Sequence, residues 1–180
     1  GVYLSYILAR RVGLMAPEPR LVEVYINGRY MGVELMVEQL EEQFLRRNSK
    51  MPGDLYSGEI VGRDFVSGLM NDLYYNPGFW AKEAVNNHNP PEWNEALRNL
   101  TKAVYAEDMD ELLGLIDMEA WASLAAFMTI SQTIHLDSTH NWRLYFDPAR
   151  GRFFPVVWDP LGFNLDLYVK WLAMQSNRMD

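Results

Sequence analysis

Apolar residues recur at helical spacing through Leu4, Ile7, Leu8 and Val12, which predicts an amphipathic helix from Tyr3 to Val12. Gly13 suits the left-handed residue just past its end, and Pro17 and Pro19 prevent continuation. Two apolar runs, Leu21 to Ile26 and Tyr30 to Val37, then flank Asn27-Gly28. Both residues of that pair tolerate the positive φ that a type I′ turn demands, so a β-hairpin is expected, with Gly32 marking a bulge. Glu38 to Arg47 reads as the next helix, with acids early and Arg46 and Arg47 late, as the helix dipole favours.

Periodicity then fades. Met51 to Pro91 is rich in Gly, Asn and Pro and predicts irregular structure with short helical turns, apart from a short strand at Asp54-Leu55-Tyr56. Helical spacing returns from Glu92 to Tyr105 and from Met118 to Ile134, and Asp117 suits the N-cap of the second helix. Trp121, Leu124, Ala125, Phe127, Met128 and Ile130 make that helix so apolar that near-complete burial is expected. A second hairpin follows, Trp142 to Phe146 and Phe153 to Trp158, turning through Asp147-Pro148-Ala149-Arg150-Gly151. Asp166 to Met174 reads as a last helix.

Interspersed helices and hairpins point to an α+β chain. Its 180 residues can bury one core, so a single domain over residues 1–180 is expected. Because the pattern opens in a helix at Gly1, the chain reads as a fragment of a longer protein. A net charge of -8 argues against non-specific binding to nucleic acid or anionic lipid. No apolar run approaches the roughly 20 residues of a spanning helix. Cysteine is absent, which excludes disulfides, thiolate metal sites and a Cys nucleophile and leaves the compartment open.

Asp137 and Asn141 stand four residues apart ahead of a strand, and Asp159 follows the returning strand. Hard oxygen donors at the two ends of one hairpin suit Mg²⁺ or Mn²⁺ and the positioning of a phosphoryl group. The competing structural reading makes all three turn or capping residues. His135 and His140 bracket Asp137, so a metal-dependent hydrolase built on His135, Asp137 and His140 is a second chemical reading. The third histidine, His88, lies in a Pro- and Asn-rich stretch.

Three stretches resemble the spore-coat protein H (CotH) kinase family of atypical, protein-kinase-like proteins. They are Leu8 to Pro17, the segment Val24 to Gln39 with its Asn-Gly-x-Tyr-x-Gly hairpin, and His140-Asn141-Trp142-Arg143-Leu144-Tyr145 followed by Trp158-Asp159. The resemblance implies a small β-hairpin lobe, about residues 1–60, and a mainly helical lobe. Residues 61–116 would be a variable region, and residues 117–180 the catalytic helix and second hairpin. It implies ATP-dependent phosphorylation of Ser or Thr in a protein substrate, with Mg²⁺ or Mn²⁺. Asp137 would match the catalytic acid, Asn141 and Asp159 the metal ligands, Phe153 a residue packing on adenine and Glu38 the glutamate before a helix. A secreted, envelope or coat-associated parent fits the same family, whose basic phosphate-contacting strand residue would lie upstream of Gly1. Where the family often has Trp-Asp-x-Asp, this chain has Pro160 and Leu161 after Asp159. Pro155 comes earlier than the family's usual proline, and Glu34 stands where an aromatic residue is common. A catalytically inactive interaction module of a coat or envelope assembly is therefore the alternative within the family.

Overall fold

Two antiparallel sheets and five α-helices make up the described residues of the computed structural model, which are 1–60, 72–84, 94–133, 135–137 and 139–163. Helix α1 (Val2–Arg11) stops where its sequence says it should. Gly13 adopts φ +82, its N–H reaches the Arg10 carbonyl at 3.2 Å, and the Leu14 N–H reaches the Ala9 carbonyl at 3.0 Å. Those are the two bonds of a Schellman C-cap.

Among the described residues strands β1 (Pro19–Ile26) and β2 (Arg29–Val37) form the first sheet by themselves. Asn27 and Gly28 both have positive φ, as the type I′ turn requires. Val24 pairs with Gly32 while Tyr25 pairs with Tyr30, so Met31 is the extra residue of the expected bulge. The next helix is shorter than its pattern suggested. It runs Glu42–Arg47 (α2), because Glu38 continues the hairpin by donating its N–H to the Glu18 carbonyl at 3.2 Å.

The second sheet has the order β4-β3-β5-β6, all antiparallel, with β3 Asp54–Gly58, β4 Trp80–Ala84, β5 Trp142–Asp147 and β6 Arg152–Val156. Short 3₁₀ turns at Leu73–Tyr75 and Pro77–Phe79 match the expected irregular stretch. Strand β4 was not expected there. Its ladder with β3 and the ion pair between Lys82 and Asp54 at 3.0 Å define it, and both come from distant residues. The β5–β6 turn is closed by the Asp147 carboxylate, which accepts from the Ala149 and Arg150 N–H groups at 3.0 and 3.2 Å. Gly151 supplies the left-handed residue at φ +65. Pro155 is tolerated because β6 is an edge strand.

Helices α3 (Glu95–Tyr105), α4 (Met109–Leu115) and α5 (Met118–Ser131) lie between β4 and β5 in sequence. Helix α4 went unpredicted, although Asp108 caps it by accepting from the Glu111 N–H at 3.1 Å. Asp117 caps α5 as expected, accepting from Ala120 at 3.0 Å. The expected near-complete burial of α5 is not found. Only Leu124, Phe127 and Ser131 are buried, and Ile130 is 63 % exposed, because α5 packs against α1 and β6 on one side. The helix also ends at Ser131, in a left-handed Gln132, rather than at Ile134, which lies outside the described residues. The expected helix at Asp166 to Met174 and the stretch holding His88 lie outside them as well.

Alternate residues of the second hairpin feed opposite faces of its sheet, as a period of two requires. Leu144 and Phe153 pack with Tyr56, Leu97 and Leu100, while Tyr145 and Phe154 pack with Phe44, Leu45 and Leu55. A third cluster joins α1 to α5 through Tyr6, Ala9, Leu14, Leu124 and Phe127, and includes Val157 just past β6. The open end of the second hairpin is therefore fixed from both sheet faces and from the two helices.

Candidate active site

The loop from His135 to Asn141 enters β5, and Val157 to Asp159 leaves β6. Antiparallel pairing of Arg143 with Val156 sets these two segments side by side. The loop is pinned at several points. Ile60 donates its N–H to the Thr139 carbonyl at 2.8 Å, and the Trp142 indole N–H reaches the Asp137 carbonyl. Trp142 is held by stacking on Trp121, with ring centroids 5.6 Å apart. It therefore serves the loop as an anchor.

Asp137 gathers four donors on a single oxygen. Its Oδ1 accepts from the Thr139 N–H at 2.8 Å, the Thr139 hydroxyl at 2.6 Å and the His140 N–H at 3.1 Å, with His140 Nδ1 at 2.7 Å. This is the turn-closing role the structural reading anticipated, yet among the described residues Oδ2 takes no part in the network. Burial pushes the Asp137 carboxyl up, but the Thr139 hydroxyl and N–H, together with His140, hold it below its ordinary value. It stays ionised at neutral pH.

Asn141 and Asp159 converge on one imidazole. The Asn141 Nδ2 lies 3.0 Å from His135 Nδ1 and donates to the His135 carbonyl at 3.1 Å. The same Nδ1 lies 3.1 Å from both the Asp159 carbonyl and its carboxylate Oδ2. A single ring nitrogen either donates to Asp159 or accepts from Asn141, so His135 couples the two side chains. Both stand in the left-handed region, Asn141 at φ +63 and Asp159 at φ +43. Asp137 reaches this pair through His140, whose ring meets the His135 ring edge-on at 5.1 Å between centroids. The Asp159 carboxylate is 45 % exposed, whereas Asn141 is buried.

An oxygen-seeking cation fits this donor set. Among the described residues Asn141 bonds through Nδ2, which leaves Oδ1 as a hard oxygen donor, and the half-exposed Asp159 carboxylate meets the same imidazole. Among the described residues no group of three His, Cys, Asp or Glu side chains is placed to hold a metal. That gives the hydrolase reading of His135, Asp137 and His140 no support. A site of one carboxylate and one amide instead suits a cation that takes its remaining ligands from phosphate and water.

The other two sequence candidates lie apart from this cluster. Phe153 is fully buried, its ring 5.9 Å from Tyr56 and 4.9 Å from Phe146. Tyr56 and Phe146, not Phe153, face a cavity of about 910 Å³ at the turn end of the hairpin. Glu38 Oε2 accepts from the Glu18 N–H at 3.1 Å and from Arg47 at 2.6 Å, while its Oε1 is buried without a partner among the described residues. Sequence reasoning missed Tyr6, whose hydroxyl accepts the Asp159 N–H at 2.9 Å from 153 residues away. Burial raises the Tyr6 hydroxyl to about 12, so it remains neutral. It also missed Arg143, whose guanidinium stands 5.5 Å over the Trp158 ring beside Asp159. No local signal marks either residue.

Among the described residues no helix is long and apolar enough to cross a membrane. The search of curated proteins gives no match. The family model described as CotH kinase protein matches residues 2–177, including the stretch from Val61 to Asp117 where the motifs are thin. With that match over nearly the whole chain, this protein belongs to the CotH kinase family.

Proposed function

We propose that this chain transfers the γ-phosphoryl group of ATP to a Ser or Thr hydroxyl of a protein, using a divalent cation at Asn141 and Asp159. The observation that carries this reading is the convergence of those two side chains on His135 Nδ1. Bound there, Mg²⁺ or Mn²⁺ would neutralise charge on the nucleotide phosphates. Asp137, whose Oδ2 takes no part in its hydrogen-bond network among the described residues, would orient the incoming hydroxyl and accept its proton late, as P–O cleavage runs ahead. A carboxylate held below its ordinary value suits that task, because a loose transition state needs orientation more than basicity. The buried Oε1 of Glu38, without a partner among the described residues, would accept from a cationic side chain. Phe153 would act on adenine only indirectly, through Tyr56 and Phe146.

Pro160 after Asp159, in place of a second acid, favours the inactive interaction module as the alternative. Transfer of labelled phosphate from ATP to protein separates the two. Asp159→Ala is expected to abolish transfer with little change in melting temperature. Asp137→Asn is expected to slow turnover by about 10²-fold or more without weakening nucleotide binding. A nucleotide-dependent rise in melting temperature with no transfer by the unaltered chain would instead establish a binding module.

A further inference from the structure

We infer that Tyr6, on the first helix, is a positioning residue that sets the backbone of Asp159 for cation binding; this rests on the site reading above. Asp159 holds φ +43, a conformation that a non-glycine residue keeps only when its surroundings over-determine it. Its carboxylate is half exposed and meets the His135 ring on one side at 3.1 Å. The backbone conformation sets the point from which that carboxylate is presented.

The Tyr6 hydroxyl supplies the acceptor for the Asp159 N–H at 2.9 Å. Tyr6 is itself 2 % exposed and locked among Ala9, Leu14, Leu124, Phe127 and Val157. The far end of the same segment is clamped independently. Phe163 donates its N–H to the Ser131 carbonyl at 2.6 Å, and a Cβ on Gly162 would stand 2.6 Å from Ser5 Oγ and 2.9 Å from Ser131 Cβ. Helices α1 and α5 thus grip residues 159–163 from both sides, with Tyr6 the grip nearest the carboxylate. Sequence separation hides this arrangement, because α1 and Asp159 lie at opposite ends of the described chain.

The test measures Mn²⁺ affinity by electron paramagnetic resonance on the full chain, with the β,γ-imido analogue of ATP present. Tyr6→Phe keeps the ring and removes the acceptor. It is expected to weaken Mn²⁺ binding about tenfold, the scale of one hydrogen bond. Gly162→Ala, which disturbs the other end of the clamp, is expected to weaken it as well and serves if Tyr6→Phe does not fold. Leu97→Ala, in the separate cluster around Tyr56 and Phe153, lowers stability without touching Tyr6 or Asp159 and is expected to leave Mn²⁺ affinity unchanged. Unaltered affinity in Tyr6→Phe, or an equal loss in Leu97→Ala, would overturn the inference. Unaltered affinity in Asp159→Asn would instead overturn the site itself.

Discussion

Val33 in β2 is 56 % exposed, whereas Phe153 in β6 is fully buried, although each is an apolar residue on one arm of a β-hairpin. Leu21 and Leu144 show the same contrast on the opposing arms. Both hairpins turn through residues with positive φ, and both carry apolar side chains along both strands. They differ in what covers them. Among the described residues the first sheet has two strands only, while the second hairpin is joined in its sheet by β3 and β4 and packed by helices on its faces. Turn chemistry is local and makes a hairpin; burial depends on distant segments. The hairpin that is buried on both faces is also the one that carries the proposed site, because rigid flanking layers are what hold loop residues in place.

The largest expected effect breaks this contrast apart. Phe153→Ala should cost about 3–5 kcal/mol of stability, the range for deleting a buried aromatic ring. Val33→Ala should stay within about 0.5 kcal/mol, as for an exposed position. Urea midpoints of the two variants measure both. Equal losses would mean that the first hairpin is as well packed as the second.

A second, smaller effect depends on pH. Burial pushes the Tyr145 hydroxyl up to about 12 in the folded chain, above its ordinary value near 10. A group raised on folding contributes stability that is intact below about pH 10 and is lost as pH climbs towards 12. Stability should therefore fall over that window, with a shallower fall in Tyr145→Phe. A urea midpoint that is flat from pH 9 to 11.5 would contradict the burial of this strand.

Sequence made the local devices legible. Gly13 at a C-cap, Asn27-Gly28 and Asp147 to Gly151 at turns, and Asp117 at an N-cap all act on their own backbone neighbours. What it hid was set by partners far along the chain. Glu38 left the predicted helix because Glu18 and Arg47 hold it, and β4 exists because β3 pairs with it. Helix α5 kept an exposed face because helical packing covers one side of a uniformly apolar surface. Asp137 and Asp159 were visible as acids at hairpin ends, but their coupling through His140 and His135 was not. Tyr6 was invisible for the same reason: its contact with Asp159 spans 153 residues.

The most direct test is anomalous diffraction from crystals grown with Mn²⁺ and the imido analogue of ATP. A manganese peak bonded to the Asp159 carboxylate and Asn141 Oδ1 at about 2.1–2.3 Å is expected, with nucleotide phosphate completing its shell. A peak elsewhere, or Asn141 and Asp159 still turned only towards His135 with nucleotide bound, would contradict it.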